Sequence, residues 1–380
     1  MKAHERAYEF HDVSVSVSNM EKKKIRVAFI DNCESQEILE ALGEKYNPVL
    51  DERDPEVVFY GNFGLKHLRY NCIKVFISQE CVAADFNVCD YAMTSNKVDF
   101  DGRNLYMPPA FFQHLREEKP YLCSLTPQLS RRRFCSFIYS QRKEGLGSQL
   151  RAEFCERLMK YKQVDCPGKV LHNYDAPELS LRHANDWNAS KIRFLSNYKF
   201  NIAFENCNCR GYITEKMSDP LLAGCVPIYW GSEGDLGLFP KEAVIYANDY
   251  PSIDALIERV IEVDNNDEEY MRILEANPLR HGVSLARWNE FRDFVLHVAD
   301  TSSRPEMLDS MDHGDVAVLR LICNNRIILA AAALYSVAKY CAQRLVLGCS
   351  RTKEDSSKVV SAYRTKRVAH LMLKSLCDKR

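Results

Sequence analysis

The chain has 380 residues, 46% of them apolar and 27% charged, with a formal net charge of −1. That length admits two domains of ordinary size, and the composition is that of a globular protein rather than a disordered or fibrous one. The near-neutral balance gives no general attraction to nucleic acid or to anionic lipid, so no nucleic-acid partner is expected. The 15 cysteines are scattered, several of them inside apolar runs (Cys135, Cys155, Cys225, Cys323). The opening residues lack an apolar stretch of secretory-signal type. Free thiols and a cytoplasmic location are therefore expected. Cys207 and Cys209 form a C-x-C pair with no further ligand at metal-site spacing, which argues against a metal there.

Residues 1–21 read as a leader. Ile25–Ile30 is then a β-rich apolar stretch, followed by a helix over Gln36–Tyr46 and a strand over Val57–Tyr60. A glycine-containing loop leads to a strand over Cys72–Ile77, which ends at Ser78-Gln79-Glu80, and Asp90–Met93 reads as one more strand. Pro108-Pro109 and the polar stretch 116–133 interrupt this order and mark a boundary near 125. The pattern restarts with a strand at Phe134–Tyr139 and a helix at Gln149–Lys162. Strands follow at Val164–Cys166 and Phe200–Phe204. Next come a helix over Thr214–Ala223 stopped by Gly224, a strand over Val226–Trp230 and a helix near Ile253–Val263. Alternating strands and helices predict an α/β protein with two Rossmann-type domains, 22–125 and 126–300, facing a cleft at the carboxyl ends of their strands.

Residues 301–380 differ. Val316–Leu347 is apolar and reads as helical, but its longest uninterrupted apolar part, Ile327–Tyr335, is far short of the roughly 20 residues a membrane span needs. Arg344–Arg380 carries ten Lys/Arg against three Asp/Glu. This helical, basic extension could cap the fold or serve oligomerisation. The less favoured alternative is that residues 316–380 lie on an anionic membrane, placing the protein at the inner face.

The chemistry concentrates between Tyr198 and Gly231: YKFNIAFEN, then GYITEK, then GCVPIYWG. This reads as strand, polar loop, helix start and strand. Thr214 suits an N-cap, and the free N–H groups and partial positive charge of a helix start suit a pyrophosphate. Lys216 adds a full charge that could neutralise a leaving nucleoside diphosphate. Glu215 can accept hydrogen bonds from sugar or ribose hydroxyls. Taken alone, Thr-Glu-Lys is an ordinary capped helix with a first-turn acid.

The whole stretch, however, resembles the signature of the α1,3/α1,4-fucosyltransferases, glycosyltransferase family 10. A second match is Phe134–Ser140 with Arg151, Val164-Asp165-Cys166 and Gly168. A third, in the manner of bacterial members, comprises Glu80, Asp85-Phe86-Asn87, Asp90-Tyr91-Ala92, Asp99-Phe100, Arg103-Asn104-Leu105 and Met107-Pro108. The resemblance implies a GT-B-like fold and inverting transfer of fucose from GDP-β-L-fucose to a hydroxyl of N-acetylglucosamine in a LacNAc-type glycan, α1,3 rather than α1,4. It places the general base at Glu80 and a phosphate-contacting cation at Arg151. It places donor-site positions at Asn206, Tyr212, Glu215 and Lys216. Ile77-Ser78-Gln79 stands where bacterial relatives read aromatic-Thr-Gly, a departure that bears on the acceptor side.

An inverting transfer needs one carboxylate to take the acceptor proton, a service generally worth about 10²–10⁴ in rate. Partial burial of Glu80 is expected to raise its pKa toward the working range. Glu205 and Glu215 are candidates for a second carboxylate that stabilises an oxocarbenium-like transition state. Charge stabilisation by Arg151 and Lys216 makes a divalent metal or other cofactor unnecessary, and Asp99-Phe100-Asp101 reads as a loop pair rather than a metal motif. His67, His114, His172 and His183 show no partner carboxylate at useful spacing. Tyr139, Tyr229 and Trp230 read as core. Competing readings are a transferase for another GDP-hexose and a non-catalytic, membrane-peripheral glycan-binding protein.

Overall fold

A computed structural model describes residues 22–98, 100–116, 132–140, 145–181, 184, 186–232, 239–301 and 304. The leader 1–21, the boundary segment 117–131, Asp99, His183 and nearly all of the 301–380 extension lie outside the described residues.

The first half forms a sheet of six parallel strands in the order β2-β1-β3-β4-β5-β6. In chain order these elements are β1 (Lys24–Ile30), α1 (Gln36–Lys45), β2 (Asn47–Leu50), β3 (Val57–Tyr60), β4 (Ile73–Ser78), β5 (Tyr91–Thr94), β6 (Asn104–Tyr106) and a single-turn α2 (Pro109–Phe112). The interior strands β3 and β5 are buried along their whole length, as parallel strands covered on both faces must be, and that is why they read as unbroken apolar runs. The edge strand β2 escapes sequence recognition for the opposite reason. It is mostly exposed and contains Pro48, which an edge tolerates because one side needs no ladder donor.

The second half forms a five-stranded parallel sheet in the order β11-β10-β9-β7-β8. Its elements are β7 (Arg133–Ser136), α3 (Gly145–Leu158), β8 (Val164–Asp165), α4 (Trp187–Leu195), β9 (Tyr198–Phe204), α5 (Glu215–Leu222), β10 (Val226–Trp230), β11 (Ile245–Tyr246), α6 (Ile253–Asp264), α7 (Asp267–Glu275) and α8 (Trp288–Asp300). The central strand β9 is buried at every position although it carries Lys199 and Asn201. Both are satisfied internally: Lys199 Nζ lies 2.8 Å from Asp264 Oδ1, and Ser136 Oγ donates to Asn201 Oδ1 at 2.9 Å. Side-chain caps start α1 at Ser35, α6 at Ser252 and α7 at Asn266, each accepting from the N–H three residues on.

The two halves are stitched together by α8. Its Phe291, Val295 and Val298 repeat at helical spacing and join α1 and the first sheet in one apolar core, which also takes in Met217 and Leu221 of α5. Lys45 at the end of α1 pairs with Asp300 at 2.6 Å. A chain segment that follows the second sheet thus packs on the first. A separate core, including Phe154, Phe200 and Val260, belongs to the second half alone. Among the described residues no helix is long and apolar enough to cross a membrane.

Candidate active site

The segments flagged in the sequence converge at the carboxyl ends of the strands. Glu80 follows β4, Tyr139 follows β7, and the loop 205–214 runs from β9 to the start of α5.

Glu205 is fully buried and organises this loop. Its carboxylate accepts from Thr214 N at 2.8 Å and from Thr214 Oγ1 at 2.9 Å, and it lies 3.2 Å from Lys216 Nζ. Burial raises the Glu205 pKa; Lys216 and the Thr214 donors oppose that shift without cancelling it. Thr214 in turn caps α5, its hydroxyl accepting from Lys216 N at 3.3 Å. The helix start is therefore less open to a phosphate than the sequence suggests, because Thr214 N–H and Lys216 N–H already have partners within the loop. What remains available to an anion is side-chain charge.

Lys216 Nζ donates to Thr214 Oγ1 at 3.0 Å and sits 3.7 Å from Glu215 Oε1. Burial alone would lower its pKa, but Glu205 and then Glu215 outweigh that and raise it, so the ammonium is fully charged. Glu215 also stays ionised: burial pushes its pKa up, yet Lys216, Lys191 and its backbone N–H bring it from 4.5 to about 2. Of the two candidates for a second carboxylate, Glu205 is fully occupied with loop-holding partners, whereas Glu215 keeps 29% of its side chain exposed.

Arg151 comes from α3 and is buried. Its guanidinium donates to Asn206 Oδ1 at 2.8 Å and lies 4.0 Å from the centroid of the Tyr139 ring. Burial pulls its pKa below the ordinary arginine value, with Tyr139 and Glu205 opposing. The Tyr139 hydroxyl donates to the carbonyls of Ile202 and Phe204 at 3.0 and 3.1 Å, which fixes the ring beneath the guanidinium. Tyr139 is thus a core residue, as expected, and also positions a predicted donor-site cation. Gly147 permits the approach of α3: a Cβ there would lie 1.9 Å from the Glu205 carbonyl oxygen and 2.7 Å from the Trp230 ring.

Across the boundary, Glu80 is exposed, contrary to the expected partial burial. The strand has ended at Ser78, and the turn is held by Ser78 Oγ accepting from Glu80 N at 3.2 Å and by Val82 N donating to Glu80 O at 2.7 Å. Glu80 and the donor loop nevertheless share neighbours. Tyr212 is pushed well above the ordinary phenol pKa, chiefly by burial and then by Glu205, while Lys216 opposes and Glu80 and Cys207 add to the rise. Glu80, Glu205 and Lys216 likewise all act on Cys207. The Cys81–Cys209 bond places the residue next to Glu80 against the loop that carries Glu205, Asn206 and Tyr212 and leads to Glu215 and Lys216, and Arg151 joins it through Asn206.

Three expectations need correction. Cysteine is not free throughout: Cys81, next to Glu80, is disulfide-bonded to Cys209 in the donor loop. The C-x-C pair is also not without a third sulfur, because Cys81, Cys207 and Cys209 place their sulfurs within 4.8 Å of one another. No sequence spacing could show this, since 128 residues separate Cys81 from Cys209. Histidines do have partner carboxylates. His67 Nδ1 is 2.6 Å from Asp31 Oδ2 in a buried pair, and the exposed His172 is 3.3 Å from Asp175. Asp31 also accepts from the backbone N–H groups of Lys66 and His67, so that pair ties down a loop of the first sheet. Of the D-x-D segment, Phe100 stacks on Phe86 and Asp101 is exposed with φ of 48°, while Asp99 lies outside the described residues.

Two parallel sheets with a charged site at their strand ends define an α/β architecture of two Rossmann-type halves. The same fold appears in solved structures. "Crystal Structure of alpha1,3-Fucosyltransferase with GDP-fucose" aligns at a TM-score of 0.58 and 21% identity over 80% of this chain and 96% of that one. "Crystal Structure of alpha1,3-Fucosyltransferase" aligns at 0.59. Residues 26–113 match the "Alpha-(1,3)-fucosyltransferase FucT N-terminal domain", and residues 129–288 match "Glycosyltransferase family 10 (fucosyltransferase) C-term". The chain belongs to glycosyltransferase family 10. Among curated relatives, "Alpha-(1,3)-fucosyltransferase FucT" of Helicobacter pylori is 27% identical over 63% of this chain and 55% of its own length. "Putative fucosyltransferase R654" of Acanthamoeba polyphaga mimivirus is 32% identical over 44% of this chain and 27% of its own length. The chain thus spans between about a quarter and about half of the length of these relatives.

Proposed function

We propose that this protein transfers L-fucose from GDP-β-L-fucose, with inversion, to a hydroxyl of N-acetylglucosamine in a LacNAc-type glycan, forming an α1,3 linkage. The observation that carries the reading is the meeting of the Glu80 turn of the first sheet with the Glu205–Lys216 loop of the second, joined where Cys81 bonds Cys209. Family membership and the GDP-fucose-bound fold relative support the choice of donor.

In this reading the acceptor enters from the first-sheet side and covers the exposed Glu80, which takes the proton of the attacking hydroxyl. Fucose leaves GDP as the hydroxyl oxygen bonds to its anomeric carbon from the opposite face. The departing diphosphate gains negative charge and is stabilised by Arg151 and Lys216, so it needs no proton and no divalent metal. Glu215, ionised and partly exposed, is the carboxylate able to face developing positive charge on the sugar. Glu205 acts indirectly: it holds Thr214 and Lys216 in place.

The test is GDP release. Free GDP should accumulate only when GDP-fucose and a type 2 disaccharide are both present. Glu80→Gln should lower turnover by about 10²–10⁴ while GDP affinity, read by calorimetry, stays within about threefold. Full activity in that variant would remove Glu80 from the mechanism. A GDP-hexose panel read by mass spectrometry distinguishes donors, and absence of any heat with GDP would favour a non-catalytic binder.

A further inference from the structure

The cysteine cluster is not needed for the transfer chemistry and lies beside it. Cys81 follows Glu80 directly, and Cys207 and Cys209 lie on the loop that leads to Thr214 and Lys216. Noncovalent ties already join this loop to the first half: Ala110 N donates to Ile213 O at 3.2 Å, and Ile213 packs in one core with Met107, Ala110 and Phe111. Tyr106 OH donates to Gly211 O at 2.8 Å, and Lys97 N donates to Arg210 O at 3.4 Å. Gly211, at φ of 90°, comes so close to the first-sheet backbone that a Cβ would lie 2.8 Å from Ser95 O and from Lys97 N. The turn carrying Glu80 is held by local bonds to Ser78 and Val82 and by Asn96 Nδ2, which donates to Val82 O at 2.8 Å. These contacts act at the Gly211–Ile213 end of the loop and at Val82, whereas the Cys81–Cys209 bond ties the residue next to Glu80 directly to the loop.

Cys81, Cys207 and Cys209 are each partly exposed, so a small thiol or disulfide can reach them. The other close cysteine pair behaves differently. Cys155 and Cys166 lie 3.8 Å apart, fully buried in the second core, where no reagent has access.

We propose that Cys81, Cys207 and Cys209 form a redox site, in which the Cys81–Cys209 bond clamps the Glu80 turn onto the donor loop and its reduction releases that clamp. The ligand class is a low-molecular-weight disulfide or dithiol. In the forward direction the thiolate of Cys81 or Cys209 attacks one sulfur of RSSR and expels RS⁻, forming a mixed disulfide. The second thiolate then attacks the protein-side sulfur of that mixed disulfide and expels a second RS⁻. Two protein thiols are oxidised, one RSSR is reduced to two RSH, and the two thiol protons end on the two released thiolates. Cys207 remains a thiol in the clamped state. Burial, then Glu205 and Glu80, push its pKa up to about 12, which keeps it protonated and slow to exchange with the neighbouring bond.

The test uses the full chain, equilibrated in oxidised glutathione or in excess dithiothreitol, with free thiols alkylated before digestion. After oxidation, mass spectrometry should show a Cys81–Cys209 linked peptide with Cys207 alkylated. The melting temperature should fall by about 5 °C on reduction, a change that Cys207→Ser retains and Cys81→Ser and Cys209→Ser lose. A linked peptide with no melting difference would overturn the clamp, and absence of the linkage would overturn the site. Stoichiometric Zn²⁺ uptake by the reduced chain, lost in all three serine variants, would also overturn it in favour of a three-thiolate metal site. None of these readouts depends on transferase activity. Where the fucosyl-transfer reading holds, the wild type should lose about tenfold in kcat on reduction and Cys81→Ser should show no redox response. An active enzyme whose rate ignores the bond would overturn the functional role of the clamp. Inactivity in both redox states, with the linkage and melting shift intact, would overturn the transferase reading and leave the redox site standing.

Discussion

On the second-sheet side of the site, Glu205, Lys216 and Arg151 are largely withdrawn from solvent and each is held by several partners. On the first-sheet side, Glu80 stands exposed on a turn held by Ser78, by Asn96 through Val82 and by the Cys81–Cys209 bond. In the proposed reaction the difference follows from what each side would bind. A diphosphate carries the same charges whatever the acceptor, so its cations can be preorganised in a low-dielectric setting where they act strongly. A general base must remain open until a glycan arrives, and it is then desolvated by that glycan. The donor side therefore lives on packing and the base side on position.

The sharpest way to break the comparison is Lys216→Met. If the donor side is a buried charge network, this change leaves Glu205 unpaired in the core and should destabilise the fold by about 3–5 kcal/mol, read by denaturant unfolding. It should also weaken GDP binding severely in calorimetry. The pH dependence carries a sign. Glu205 already has a pKa raised by burial, and losing Lys216, which opposes that shift, raises it further, so the folded variant binds its proton more tightly than the unfolded chain and loses stability as pH rises through the raised pKa. The variant should therefore be more stable at pH 5 than at pH 8. A mild loss that is independent of pH would mean the network is solvated.

A smaller effect is expected at Gly147, where α3 touches the donor loop. Gly147→Ala must displace the Glu205 carbonyl or the Trp230 ring and should cost about 1–3 kcal/mol, with a parallel loss of GDP affinity through Arg151 and Asn206. Wild-type melting behaviour in this variant would show that the loop yields easily.

The mildest test concerns Glu215. Its folded pKa of about 2 lies below its ordinary 4.5, so its contribution to stability is present above pH 4.5 and lost as pH falls through about 2. Acid unfolding followed by circular dichroism should show the stability gap between wild type and Glu215→Gln closing over that window. A gap constant from pH 6 to pH 2 would place Glu215 in solvent, outside the ion network.

The legibility of the fold tracks burial. Strands β3, β4, β5, β9 and β10 and helices α1, α5 and α6 were readable because parallel strands and amphipathic helices repeat apolar residues at fixed intervals. The edge strand β2 is mostly exposed, and β6 and β11, with three and two residues, are too short to show a repeat. Helix α4 carries polar residues that tertiary partners satisfy, among them Lys191, paired with Asp219 at 2.8 Å. Helix α8 does show the spacing Phe291, Val295, Val298, but the domain it would pack against could not be read from it.

The sequence by itself determined the donor side of this protein, because Thr214, Glu215 and Lys216 are neighbours in the chain and their chemistry depends on a local helix start. It also carried enough family pattern to point to Glu80, Arg151 and Asn206. Only the tertiary structure decided that Glu205 is the buried hub, that Tyr139 supports Arg151, that Glu80 is exposed and that Cys81 meets Cys209. Those facts depend on which strand ends face one another, and a parallel sheet brings together residues whose separation along the chain holds no record of their contact.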